Sequence, residues 1–261
     1  MSLNQNIKNN NIYHNILSSI KNNEKLFAVL IDPDKIAIKS LSNFVKKINS
    51  SIATHIFVGG STVEENVVDK VVFEIKKSTH LPVVLFPGDV TQITDKADAI
   101  LFLSLISGRN PDYLIGKHVA SVSKLKNTHI EVIPTGYILI QNGKQTAVEK
   151  VSETKPLSRE NVQQIADTAK AGELLGMKLI YLEAGSGASE PVTNEIINFV
   201  KNELQIPLIV GGGIKSKLQL ENAYKSGADL VVIGTAFEEN ELFFEQLKSP
   251  LFFGHFPKRE K

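Results

Sequence analysis

The chain contains no cysteine. That excludes a disulfide framework, a thiol nucleophile, Cys-ligated zinc and an iron–sulfur cluster. It also lacks charge of one dominant sign: Lys plus Arg number 29 and Asp plus Glu 28, a net charge of +1. Such a balance gives no electrostatic case for nucleic acid as a partner, although a local anion site stays open. There is no transmembrane-length apolar run. The longest, Ala99–Ile106, is interrupted by Ser104 and falls well short of the roughly 18 residues of a spanning helix. No apolar core follows a basic start in the Asn-rich N-terminus, so no signal peptide is expected and the cytoplasm is the default compartment. Nor does any linker divide the chain. Its 261 residues suit one α/β domain over 1–261, with a polar N-terminal extension (about 1–24) and an aromatic C-terminal tail (about 249–261). In that tail Phe252, Phe253 and Phe256 precede Lys258, Arg259 and Lys261. Packing on the domain or a sister subunit is the favoured role for these rings, with contact at a membrane surface as the alternative.

What is present is a repeat. Eight short, near-continuous apolar runs occur: Leu26–Ile31, His55–Val58, Pro82–Phe86, Ala99–Leu103, Ile130–Pro134, Leu179–Leu182, Pro207–Val210 and Leu230–Ile233. Runs of this kind suit strands of a parallel sheet buried on both faces. Helical spacing lies between them, over Val63–Lys77, Arg159–Leu175, Thr193–Leu204 and Leu218–Lys225. Eight βα repeats in about 250 residues predict a (β/α)8 TIM barrel, with a doubly wound open sheet as the alternative. One repeat is defective. Pro87–Asp98 contains Pro87 and Gly88 and has no full helical face, so a loop or single turn should replace the third helix. The apolar flank of strands three and four would then form a groove for a hydrophobic chain, unless neighbouring helices or a subunit close it.

Three Gly-rich segments follow the late strands: Tyr181-Leu182-Glu183-Ala184-Gly185-Ser186-Gly187, Gly211-Gly212-Gly213-Ile214 and Gly234-Thr235. In barrels, loops after strands seven and eight commonly hold phosphate through backbone N–H groups, and glycine allows the backbone to approach the anion closely. Competing glycine motifs fail. Gly213-Ile214-Lys215-Ser216 has Ile where a P-loop needs Gly, and Gly185 to Glu190 ends in Glu where the dinucleotide fingerprint needs Gly or Ala.

Strand one ends in Ile31-Asp32-Pro33-Asp34-Lys35, which puts a carboxylate at the active-site end of a barrel. Asp32 suits Mg²⁺, which takes one or two carboxylates and completes its shell with water and phosphate oxygens; a turn or helix cap formed by Asp32 and Asp34 is the alternative. Strand two ends in Gly59-Gly60-Ser61-Thr62, where Ser61 or Thr62 could reach the same space or cap the following helix. The six histidines show no metal-ligand spacing. Glu183 ends a buried strand two residues before Gly185. It could take a proton from a substrate hydroxyl or form a salt bridge to a lysine.

Together with Ser107 to Leu114 and Pro134-Thr135-Gly136-Tyr137, these segments resemble geranylgeranylglyceryl phosphate synthases and their PcrB-type relatives over roughly residues 25 to 245. The resemblance implies a modified barrel without the third helix and a homo-oligomer. It also implies Mg²⁺-dependent prenyl transfer from a polyprenyl diphosphate, usually geranylgeranyl diphosphate, to the 3-hydroxyl of sn-glycerol 1-phosphate. By position, Asp32 and Ser61 fall at the metal, and Tyr181–Gly187, Gly212-Gly213 and Gly234-Thr235 at the glycerol phosphate. Glu183 falls where the family has its base. Some shorter bacterial relatives carry Lys two positions before the strand-one Asp; here that position is Leu30, which points to the archaeal-like branch. Phe86, Phe102, Leu103, Ile106, Tyr137 and Ile138 are candidate walls for the prenyl chain, or plain core. A sugar-phosphate isomerase or aldolase on the same fold is the competing enzyme class, and a non-catalytic phosphate or lipid-binding module the third reading.

Overall fold

The computed structural model describes residues 11–60, 63, 66–239 and 243–248. Eight parallel strands close into a barrel in sequence order: β1 (Leu26–Ile31), β2 (His55–Val58), β3 (Val83–Leu85), β4 (Ala99–Leu105), β5 (Glu131–Leu139), β6 (Leu179–Glu183), β7 (Leu208–Gly211) and β8 (Leu230–Ile233). β8 closes on β1, with Leu26 opposite Leu230. The period of two along each strand divides the apolar residues between two cores. Leu26 and Ala28 of β1 face the barrel interior, while Phe27, Val29 and Ile31 pack against the outer helices.

The outer layer contains α2 (Ile38–Asn49), α3 (Val67–Lys76), α4 (Lys117–Leu125), α5 (Ala147–Ser152), α6 (Val162–Leu174), α7 (Asn194–Glu203), α8 (Lys217–Lys225), α9 (Thr235–Glu239) and α10 (Phe243–Gln246). Most of the long helices present an apolar stripe to the strands, whereas α4 buries His118 and Ser121. Val68, Val71, Val72 and Ile75 form the stripe on α3, and Ile196, Ile197 and Val200 on α7.

The expected gap is present. Between β3 and β4 lies one 3₁₀ turn, Val90–Gln92, and no helix. The strands separate there. Only Val84 opposite Ala99 and Leu85 opposite Ile100 join β3 to β4, whereas β4 pairs with β5 from Ala99 opposite Glu131 to Leu105 opposite Tyr137. Leu101 to Leu105 therefore run past the end of β3.

Two features depart from the sequence reading. The polar N-terminal extension contains a helix, α1 (Ile12–Lys21), whose Ile12 and Ile16 are buried in the interior cluster with Leu26, Ala99, Leu179 and Leu230. These are first residues of strands, so α1 covers the N-terminal end of the barrel. The Glu131 carboxylate accepts hydrogen bonds from Ile12 N (2.5 Å) and Tyr13 N (3.3 Å), which places a negative charge at the positive end of the helix dipole. β5 also runs to Leu139 instead of stopping at Pro134. The proline lacks only a donor, and its carbonyl still accepts from Lys178 N at 2.8 Å. The C-terminal tail lies outside the described residues.

Candidate active site

Parallel strands in a barrel deliver their C-terminal residues to one rim. Glu183, the last residue of β6, is 6% exposed there. Burial pushes its carboxyl up to about 7, against the opposing pull of the Gly185 N–H, which donates to Oε1 at 2.5 Å, and of the nearby Tyr181 hydroxyl. No ion pair among the described residues involves Glu183, so the lysine salt bridge considered from sequence does not form. A Cβ on Gly211 would sit 2.3 Å from Tyr181 Oη and 3.0 Å from Glu183 Oε2; glycine is what lets hydroxyl and carboxylate share that space. Tyr181 Oη is buried and has no hydrogen-bond partner of ordinary geometry among the described residues. An orphaned buried hydroxyl beside a carboxyl of raised pKa suits a polar substrate group.

The glycine loops converge on this pair. Gly212 and Gly213 have φ +83° and +72°, a conformation that L side chains rarely adopt, and a Cβ on Gly212 would lie 2.4 Å from Glu183 Oε1. Ser186 Oγ lies 3.2 Å from Thr235 Oγ1, which joins the loops after β6 and β8. Across the mouth, Asp32 accepts from Asp34 N (Oδ1, 3.2 Å) and pairs with Lys35 (Oδ2–Nζ, 3.3 Å). It is thus both the hinge of a turn and part of the pocket wall. A Cβ on Gly60 would come within 2.9 Å of Asp32 Oδ1.

One pocket of about 870 Å³, open to solvent, brings together Asp32, Tyr181, Glu183, Gly185–Gly187, Gly212, Gly213, Gly234 and Thr235. Leu182 and Ala184 do not face it. They alternate with Tyr181 and Glu183 along β6 and pack in the outer core, so of the contiguous 181–187 stretch these two contribute backbone only. The Ala184 carbonyl is bonded by the Asn142 side chain. Ser61 lies outside the described residues.

A second, apolar groove, also open to solvent, runs along the gap between β3 and β4. Phe86, Phe102, Leu103 and Tyr137, four of the candidate walls named from sequence, line it. Ile106 and Ile138 do not. Ile106 is wedged against Gly136 and Gly172, and Ile138 is fully buried in the outer core. The two cavities share Gly60, Phe86, Tyr137 and Val148. At that junction the Phe86 ring lies 5.9 Å from Tyr137 and 5.3 Å from Tyr181.

Sequence reasoning missed Thr146 and Val148, which line the polar pocket from the start of α5, and the Lys117–Asp89 pair (2.5 Å) on the groove. The signal for the first was Thr146-x-x-Glu149, a capping box that the structure forms in full. Among the described residues no cluster of three or more His, Asp or Glu could hold a metal by itself. A divalent cation here would have to rest on Asp32 and draw most of its shell from phosphate and water, which is the habit of Mg²⁺.

The PcrB family profile matches residues 19–249. The geranylgeranylglyceryl phosphate synthase of Flavobacterium johnsoniae is 56% identical over 234 residues, covering 90% of this chain and 96% of that protein. The enzyme of the same name from Thermococcus kodakarensis is 44% identical over 217 residues, 83% of this chain and 85% of its own. A crystal structure of (S)-3-O-geranylgeranylglyceryl phosphate synthase from Thermoplasma acidophilum, in complex with sn-glycerol-1-phosphate, superposes with a TM-score of 0.85. It is 31% identical, and the match covers 91% of this chain and 95% of the other.

Proposed function

The chain belongs to the PcrB family of geranylgeranylglyceryl phosphate synthases, and from that premise we propose that it joins a polyprenyl diphosphate, geranylgeranyl diphosphate in the first instance, to the 3-hydroxyl of sn-glycerol 1-phosphate with release of diphosphate. The observation that carries this reading is the junction of two chemically unlike cavities at Gly60, Phe86, Tyr137 and Val148. The polar one suits two phosphorylated head groups, and the apolar one suits a hydrocarbon tail.

The residues divide the work. The loops at Ser186-Gly187, Gly212-Gly213 and Gly234-Thr235 hold the acceptor phosphate through backbone N–H groups, while the Gly185 N–H stays on Glu183. That anchoring sets the glycerol 3-hydroxyl against Glu183. Glu183, with its carboxyl near 7, takes the hydroxyl proton as the new C–O ether bond forms at C1 of the prenyl chain and the C1–O bond to diphosphate breaks. Tyr181 offers its buried hydroxyl, beside Glu183 and without a partner of ordinary geometry, to the same polar end of the acceptor. Asp32 and Ser61 are the proposed holders of Mg²⁺, which when bound neutralises the departing diphosphate. Phe86, Phe102 and Tyr137 line the groove for the chain, whose burial yields about 0.8 kcal/mol per CH2. Holding both reactants at one rim removes most of the entropic cost of their encounter.

Incubation with labelled sn-glycerol 1-phosphate, a panel of prenyl diphosphates and Mg²⁺ tests this. A labelled lipid ether that fails to form without metal supports it, and label that stays water-soluble with every donor overturns it. Among the described residues no helix is long and apolar enough to cross a membrane. Action in the cytoplasm as a homo-oligomer completes the proposal; light scattering at working concentration reads the second part. The packing of the aromatic tail on the domain or a sister subunit, in a single domain over 1–261, belongs to the same reading.

A further inference from the structure

The segment that replaces the third helix is held in place by a side chain that no step above uses. Gln92 ends the Val90–Gln92 turn and is only 1% exposed. Its Nε2 donates to the Gly60 carbonyl at 2.9 Å, and its Oε1 accepts from Gly88 N at 3.1 Å. The reversed amide would set oxygen against oxygen and N–H against N–H, so the two partners fix its orientation. Burying a primary amide is costly unless its bonds are made, and here one goes to backbone four residues back in the same segment and the other to backbone 32 residues away, after β2.

Those two segments meet different parts of the site. Gly60 belongs to the wall of both cavities and leaves no room for a side chain beside Asp32 Oδ1, 2.9 Å from where its Cβ would stand. Gly88 lines the apolar groove only. The outer edge of the same segment is tied to α4. Lys117 Nζ reaches Asp89 Oδ2 at 2.5 Å, and Lys124 Nζ donates to the Val90 carbonyl at 3.2 Å. Gln92 is therefore the inward tie, and it connects the groove to the backbone that backs Asp32.

We propose that Gln92 is a positioning residue for the prenyl donor: its amide holds the Gly60 backbone against Asp32 and the Gly88 backbone against the groove, and so fixes the distance between the place of the diphosphate and the place of the first isoprene units. The acceptor side, built on β6 to β8, does not depend on it. The inference rests on the reading of the site as a prenyltransferase.

The test compares Gln92→Leu, which loses both bonds, with Gln92→Glu, which keeps an acceptor for Gly88 N–H but sets a carboxylate oxygen against the Gly60 carbonyl. Steady-state kinetics are measured for each substrate in turn. Geranylgeranyl diphosphate is also titrated in the presence of Mg²⁺ without acceptor, followed by tyrosine fluorescence; the chain has five Tyr and no Trp. Both variants should raise the donor KM and the titrated dissociation constant about tenfold or more, with the glycerol phosphate KM within about twofold of wild type. Melting curves check that each variant is folded; if Gln92→Leu is not, Gln92→Glu alone decides. Equal rises in both KM values, or a lowered Tm with both KM values unchanged, would overturn the inference. Wild-type turnover in the same assay checks the reading beneath it. An inactive wild type sinks that reading and the inference with it, whereas an active wild type whose variants show no split sinks the inference alone.

Discussion

The mouth of the barrel has two halves built in opposite ways. From β6 to β8 the strands are paired without a break up to the rim, with Glu183 opposite Gly211 and Gly211 opposite Val232, and the loops that follow carry glycines at the rim, those after β6 and β8 joined through Ser186 and Thr235. From β3 to β4 the ladder ends after two residue pairs and one outer helix is missing. The first half makes a polar site by bringing backbone and one buried acid close together. The second makes an apolar site by leaving regular structure out. An anion needs many fixed dipoles at short range, which regular elements supply, while a hydrocarbon needs only dry volume, which a missing element supplies.

The largest effect should come from removing the polar chemistry. Asp32→Ala should abolish product formation, and Glu183→Gln should lower kcat by about 10²–10⁴, both with unchanged circular dichroism. Full turnover by either would mean that the polar half is not where the reaction occurs. The pH profile sharpens the point. Glu183 is held up to about 7, so it is protonated below that value and available as a base above it; kcat should climb through about pH 7. The sign for stability is the reverse. A carboxyl raised in the folded state supports folding fully below the pKa of the unfolded chain and loses that contribution as pH rises through about 7. Urea melts across pH 4 to 8 would show it, and Glu183→Gln should flatten both curves.

The apolar half is tested by filling it. Leu103→Trp narrows the groove and should move donor preference toward shorter prenyl diphosphates by about tenfold in kcat/KM, roughly the worth of two buried methylenes. The KM for glycerol phosphate should stay constant; if it moved in step, the two halves would not be separable. Gly212→Ala probes the other side with a smaller consequence. Its φ of +83° and the 2.4 Å approach to Glu183 Oε1 should cost about 1–2 kcal/mol of stability and raise the glycerol phosphate KM, leaving donor length preference unchanged. The least effect is expected from Lys117→Met. The Lys117–Asp89 pair is partly exposed, with Lys117 30% and Asp89 41% accessible, so its loss should cost about 0.2–1 kcal/mol in a thermal melt.

The two halves were also unequally legible in the sequence. Continuous apolar runs gave β1, β2 and β8 to the residue, because strands buried on both faces contain little else. The missing helix was visible because Pro87 and Gly88 break any helical face. Glycine-rich strand ends and the Asp-Pro-Asp-Lys turn marked the polar rim. What was hidden has physical causes. α1 carries its buried stripe on Ile12 and Ile16 amid asparagines, too thin a signal against a polar background. A contiguous motif such as Tyr181–Gly187 reads as one site, yet the pleat turns Leu182 and Ala184 away from it. Gln92 has no signature at all, since its remote partner, the Gly60 carbonyl, is brought to it only by the closed barrel.

The short joint between β3 and β4 bears on how a bulky lipid comes and goes. A fully laddered cylinder admits a guest only through its ends, so a long tail would have to be threaded in and later drawn back out lengthwise. Here β4 continues from Leu101 to Leu105 beyond the end of β3, so on the proposed function a tail seated in the groove there would be laid in from the side instead of threaded.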